Sequence, residues 1–292
     1  MFAGRLPSLT AMMVAGARGL PKDAPDPVAD RLLPRPLGAA LRSVHSLARK
    51  KEIVERMTST LSLGLVTHLV LRTRAIDDVA IGAAEMGTRQ LVILGAGLDA
   101  RAHRMPELAA VSVYEVDHPA TQRYKTQRTV DLPCKAGALV YVGVDFEHDD
   151  LRARLEEAGQ RTDEPTAWIW EGVTPYLTLD AIGATLDAIA ERSASDSVLA
   201  MTYGTPEMTS WGGTPKRVIP AILGVLGEPF RGLIEPREAA SLVRERGFDV
   251  EDDSGAEEWA IRYRHRVPER RITERLLVAR ACVPSSERFV GT

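Results

Sequence analysis

The chain has 292 residues, of which 45% are apolar and 26% charged, with a formal net charge of −3. That length buries a full core without staples, and the composition excludes a largely disordered chain, a collagen-like rod or a coiled coil. The near-neutral balance argues against nucleic acid as a partner, and no apolar run approaches the ~20 residues of a membrane span.

At roughly 150 residues per domain, the length predicts two domains, or one large α/β domain with an appendage. The first 85 residues are helical in character. Residues 8–20 form one helix with Ser8 as its N-cap, and a connector containing Pro21, Pro25, Pro27, Pro34 and Pro36 comes next. Residues 39–60 and 65–86 repeat apolar side chains at three- and four-residue steps, as helices do. This segment, 1–85, reads as a helical cap on the rest of the chain.

From Gln90 onward, short β-rich runs alternate with helical stretches. The runs are 91–94, 111–116, 138–142, 166–170, 197–202, 248–251 and 276–281. The helical stretches are 98–105, 120–130, 150–159, 179–192 and 237–246. Such alternation predicts βαβ units in a doubly wound, mostly parallel seven-stranded sheet over residues 86–292. The Gly- and Pro-rich stretch 207–236 reads as an insertion above the carboxyl edge of the sheet. The basic run from Arg262 to Arg271 reads as a solvated face. Cys134 and Cys282 match no zinc or redox spacing and read as reduced thiols of a cytoplasmic protein.

The strand at 91–94 runs into Gly95-Ala-Gly97-Leu-Asp-Ala100. Gly95 suits a tight turn, Gly97 lets a ligand approach the backbone, and Ala100 permits close helix–strand packing. Asp117 ends the next strand, where a carboxylate accepts bonds from ribose hydroxyls. Asp145 ends the third strand and Phe146 comes directly after it. Adenine's exocyclic N–H donors call for a carboxylate, and its faces for an aromatic wall. The same G-x-G-x-x-A pattern also serves NAD. Against a dehydrogenase stand the motif's position some ninety residues into the chain, the lack of any Tyr with a Lys four residues later, and the second acid at Asp145.

Taken together, these residues resemble the S-adenosylmethionine-dependent methyltransferases related to leucine carboxyl methyltransferase, most closely their bacterial branch. The resemblance is carried by several ordered motifs: Pro7 to Ala11 with Val14 to Arg18, Leu71 to Asp77, Gln90 to Met105, Tyr114 to Pro119, Val144-Asp145-Phe146, and Trp170 to Leu177. It implies a seven-stranded methyltransferase (Rossmann-like) fold with S-adenosyl-L-methionine as cofactor. Gly95 and Gly97 would flank its methionine part and Arg72 would reach its carboxylate. Asp117 would hold the ribose, Asp145 and Phe146 the adenine, and Glu171 would face the methionine end. The chain departs from the common pattern with Ala100 in place of threonine, His103 of tyrosine and Met105 of leucine.

The expected chemistry is methyl transfer to an oxygen of a small molecule, either a carboxylate or a hydroxyl. Tyr176, in the loop after the fourth strand, is expected to line the acceptor pocket, and His103 to serve as base if one is needed. A carboxylate acceptor is already ionised at neutral pH and requires none. Trp168 and Trp170, alternating on one strand, share a face and read as core. Two other readings stay open at this point, a protein C-terminal carboxyl methyltransferase and an NAD-type Rossmann oxidoreductase. No metal site is expected.

Overall fold

A computed structural model describes residues 9–20, 26–47, 64–146, 148–209, 230–265 and 273–282. Among the described residues, four helices precede the sheet: α1 (Leu9–Gly19), α2 (Ala29–Leu32), α3 (Arg35–Leu47) and α4 (Leu65–Glu85). The alternating part begins with β1 (Gln90–Leu94), α5 (Arg101–Arg104), β2 (Ser112–Asp117), α6 (Pro119–Thr129) and β3 (Ala138–Gly143). It continues with α7 (Leu151–Glu157), β4 (Thr166–Trp170), α8 (Leu179–Glu191) and β5 (Val198–Gly204). The last elements are α9 (Pro236–Arg244), β6 (Phe248–Gly255), α10 (Ala256–Arg262) and β7 (Glu274–Ala281). Residues 210–229 of the expected insertion, 48–60 of the expected second helix and 266–271 of the basic run lie outside the described residues.

The seven strands form one sheet in the order β3-β2-β1-β4-β5-β7-β6. The first five are mutually parallel, and β7 runs antiparallel between β5 and β6. Strand alternation divides the core into two layers. Trp168 and Trp170 face one side with Val92, Leu94, Leu199 and Met201, against Leu186 and Ile189 of α8. Ala167 and Ile169 face the other side with Leu91, Ile93 and Ala200. Both faces are covered, so β1 and β4 are buried at every position.

Helix α4 belongs to the second layer. Its Leu71, Ala75, Ile76, Ala80 and Ala83 pack with Leu91 and Ile93 of β1. Small residues at helical spacing let it lie close to the sheet. The segment over the Gly-rich turn is therefore α1 to α3. Ala15, Ala29, Leu32 and Leu41 make a third cluster with Leu98 and Ala100.

Three local features differ from the sequence expectation. The helix expected over 98–105 contracts to α5, because residues 96–100 turn instead: the Asp99 N–H donates to the Ala96 carbonyl at 2.7 Å. Strand β6 runs on to Gly255 through an irregularity between Val250 and Asp252, since pairing with β7 sustains it where hydrophobicity does not. Helix α10 was not expected, because its segment is short and three of its seven residues are charged. Buried Trp259 anchors it, with its indole N–H donating to Ser254 Oγ at 2.9 Å.

Candidate active site

Strands β1 and β4 are paired in register, Leu94 opposite Trp170. The Gly95 turn and Glu171 therefore leave the sheet side by side, where the strand order reverses. In open α/β sheets that crevice, at the carboxyl ends of the strands, is where ligands bind. Gly95, Gly97 and Gly172 all have positive φ, of +65°, +51° and +69°. A Cβ on Gly95 would collide with Val173 Cγ2, so the turn has no room for a side chain. A Cβ on Gly97 would lie 3.6 Å from the Ala11 Cβ, which shows how closely α1 roofs the turn.

Glu171 is the centre of the charged groups here. Its side chain is only 5% exposed. Oε1 accepts from Arg18 Nη2 at 2.6 Å and from Arg72 Nη2 at 2.8 Å, and Oε2 accepts from Arg101 Nη1 at 3.1 Å. Burial alone would raise its pKa, but the three guanidinium groups outweigh that and hold the carboxyl well below the usual range. Arg101 also donates from Nε to Asp77 at 2.8 Å and pairs with Asp99. Asp99 accepts the Arg101 N–H as well, at 2.7 Å. Arg104 donates to Asp77 at 2.7 Å. On the far side, Arg72 Nη1 donates to both oxygens of Glu274, which also accepts from His68 Nε2 at 2.8 Å.

Arg72 and Glu171 are thus brought together as partners of each other. Sequence reasoning missed Arg18, Arg101, Glu274 and His68 as members of the group. His68 stands four residues before Arg72 on one helix, a spacing that puts both on one face and could have marked it. Glu274 carries no local signal. It arrives because β7 is antiparallel, which puts its first residue at the carboxyl edge opposite Gly204 of β5.

Asp117 ends β2 beside the Gly-rich turn. Its Oδ2 accepts the Gly97 N–H at 2.5 Å and its Oδ1 the His118 N–H at 2.6 Å. Burial raises its pKa, and those two bonds oppose the rise. Asp145 and Phe146 lie just beyond β3 at the same edge. The Asp145 carboxylate lies 3.2 Å from His148 Nδ1, and the Phe146 side chain is exposed.

Tyr176 is half-buried in the turn after Glu171, its ring centroid 5.8 Å from that of Phe230. The returning end of the 207–236 segment is tied there, with the Arg231 N–H donating to the Pro175 carbonyl at 2.7 Å. His103 is buried, and its Nδ1 donates to the Pro133 carbonyl at 3.2 Å. That bond leaves Nε2 as the unprotonated nitrogen, and Nε2 has no partner among the described residues. Burial holds the His103 pKa below its ordinary value. Arg101, two residues earlier on α5, reaches the carboxylates around Glu171, whereas His103 is turned to the loop after α6.

Comparison with known proteins places this architecture. The sequence profile of the leucine carboxyl methyltransferases matches residues 11–190. The chain belongs to that family. It is an S-adenosyl-L-methionine-dependent methyltransferase. A relative from Mycolicibacterium gilvum, provisionally named an S-adenosyl-L-methionine-dependent methyltransferase, is 32% identical over 249 residues, which cover 83% of this chain and 74% of that one. A relative from Mycolicibacterium smegmatis with the same provisional name is 38% identical over 205 residues, 66% of this chain and 65% of that one. The match thus leaves about a third of the second relative outside it. Among solved structures, a DUF574-family protein from Streptomyces avermitilis superposes with a TM-score of 0.61 at 19% identity, covering 94% of this chain and 98% of that one. A Thermobifida fusca protein, provisionally assigned as a methyltransferase, gives 0.56 at 15% identity over 97% of each chain. At these identities the likeness shows the fold. Among the described residues no group of His, Cys, Asp or Glu could hold a metal ion, and no helix is long and apolar enough to cross a membrane.

Proposed function

We propose that this chain transfers a methyl group from S-adenosyl-L-methionine to an oxygen, carboxylate or hydroxyl, of a small-molecule acceptor at the carboxyl edge of β1, β2 and β4. The observation that carries the reading is Glu171, buried and ionised among three guanidinium groups beside the glycine turn. Four arginines (18, 72, 101 and 104) interlock there with four carboxylates (Asp77, Asp99, Glu171 and Glu274). A cluster already balanced in charge suits a zwitterionic amino-acid head better than the doubly anionic pyrophosphate of a nicotinamide cofactor.

The residues fit the cofactor. Arg18 Nε and Arg101 Nη2 are buried donors without a partner among the described residues, next to Glu171. In this reading Arg72 holds the cofactor carboxylate and Glu171 its ammonium group, with Gly95 and Gly97 allowing the backbone close. Asp117 accepts from the ribose hydroxyls, Asp145 from the adenine amino group, and exposed Phe146 walls the ring. When bound, the cofactor would supply an electrophilic methyl group on a sulfonium, whose carbon would bond the acceptor oxygen as the C–S bond breaks and the thioether leaves with the electron pair. The chain's own contribution is alignment and exclusion of water.

Tyr176 lines the acceptor side with Phe230, and α1 to α3 cover the glycine turn beside it. A carboxylate acceptor leaves His103 without a role, whereas a hydroxyl acceptor needs a base, for which neutral His103 has the right state. Cys134 and Cys282 are not joined in a disulfide, which suits the cytoplasm.

The test is calorimetry with S-adenosyl-L-methionine, then mass spectrometry of an extract incubated with methyl-labelled cofactor. Label on small molecules supports the reading. Label on protein C-termini replaces the acceptor class, and failure to bind the cofactor overturns the whole. Tyr176→Phe is expected to lower transfer while leaving cofactor affinity within about twofold.

A further inference from the structure

The Arg72 guanidinium is held from two sides, and the two sides do different work. Its Nε and Nη2 face Glu171, at 3.2 and 2.8 Å. Its Nη1 donates to both oxygens of Glu274, at 2.8 and 2.7 Å. Glu274 in turn takes a bond from His68 Nε2 at 2.8 Å, and His68 stands one helical turn before Arg72 on α4. His68 and Glu274 are buried to within a few per cent, and the His68 ring lies 5.5 Å from the Trp259 ring of α10.

An arginine side chain has large rotamer freedom, and a free one would have to be ordered each time a ligand binds. Gly172 lies against the guanidinium, where a Cβ would sit 3.7 Å from Arg72 Nη2, in ordinary van der Waals contact. Glu274 leaves the Nε–Nη2 edge pointing at the switch point. That planar edge is the one suited to take a carboxylate bidentately.

On the reading proposed above, we infer that Glu274 is a positioning residue for cofactor binding. It fixes Arg72 from behind through Nη1, with His68 holding Glu274 in place, so that the Nε–Nη2 edge stays turned to the switch point, where the cofactor carboxylate takes the place of Glu171 Oε1 and Glu171 turns to the ammonium group.

The test uses the full chain and S-adenosyl-L-methionine in calorimetry, with thermal melting of each variant alone as a folding control. Glu274→Gln keeps an acceptor oxygen but loses the charge, and is expected to weaken binding about tenfold. Glu274→Ala is expected to weaken it further, toward the level of Arg72→Ala. His68→Ala is expected to weaken it a few-fold, in proportion to the smaller share it has in the contact. The decisive variant is the double substitution Arg72→Ala with Glu274→Ala. If Glu274 acts through Arg72, the double variant binds no more weakly than Arg72→Ala alone.

Wild-type affinity in Glu274→Gln overturns the inference, as does additivity of the two alanine substitutions. A lowered melting temperature with unchanged cofactor affinity assigns Glu274 a purely structural role and also overturns it. If Glu274→Ala does not fold, Glu274→Gln and His68→Ala decide by the same readouts. Absence of binding by the wild-type chain is a different failure, that of the cofactor reading itself.

Discussion

Arg18, on the N-terminal helix, donates to the Glu171 carboxylate at the end of β4 at 2.6 Å, across 153 positions of sequence. The bond ties the helix that roofs the glycine turn to the switch point of the sheet. Arg18→Met keeps the apolar stem and removes the charge. Glu171 retains Arg72 and Arg101, so the loss is that of one charge-assisted bond, about 2 kcal/mol, and not the larger cost of an unpaired buried ion. Urea unfolding reads it as a lower midpoint with an unchanged slope. A wild-type midpoint would mean that this pair does not hold α1 in solution.

Gly95→Ala meets two penalties at once. Its φ of +65° disfavours any L side chain, and the new Cβ collides with Val173. We expect a loss of about 2–4 kcal/mol in stability and no measurable cofactor binding. Gly87→Ala, also at positive φ but with nothing within 4 Å of its Cβ, serves as control and should cost only about 1–2 kcal/mol.

Asp117→Asn preserves shape and keeps an oxygen for the Gly97 N–H, while removing the charge. Cofactor affinity is expected to fall about 10- to 100-fold by calorimetry, the worth of charge-assisted bonds to ribose hydroxyls. The melting temperature should fall by a few degrees at most: the His118 N–H loses its acceptor, while removing a charge disfavoured by burial offsets part of that loss.

Acid sensitivity is set by the buried carboxylates. Burial works against ionised Glu274, but Arg72 and His68 outweigh it and pull its pKa from 4.5 down to about 2. A folded value below the unfolded one means stability that is full above about pH 4.5 and lost as pH falls through about 2. Glu171 and Asp99 shift in the same direction, while Asp26 and Asp117, raised by burial, titrate in the opposite sense. The stability gap between wild type and Glu274→Gln should therefore shrink by about 3 kcal/mol between pH 5 and pH 2. Denaturant titrations at stepped pH measure it, and a gap that stays constant contradicts the assignment.

The amino-acid sequence by itself determined the alternation of strands and helices, the covered sheet and the glycine turn with Asp117 beyond it. These are local signals, since apolar alternation along Thr166 to Trp170 and the Gly95-Ala-Gly97 turn act over a few residues. Even here, α10 escaped, because Ala256, Trp259 and Ala260 make only a single turn of helical spacing, too short a pattern to read as a period. Only the tertiary structure decided which charges meet. Glu171 pairs with Arg18, and Glu274 with Arg72 at a separation of 202 positions, because strand order sets β4 beside β1 and an antiparallel β7 returns its first residue to the same edge. Ion pairing depends on distance in space, and no local pattern encodes that distance. The near-neutral net charge conceals the result, a buried cluster in which four arginines and four carboxylates interlock at the carboxyl edge.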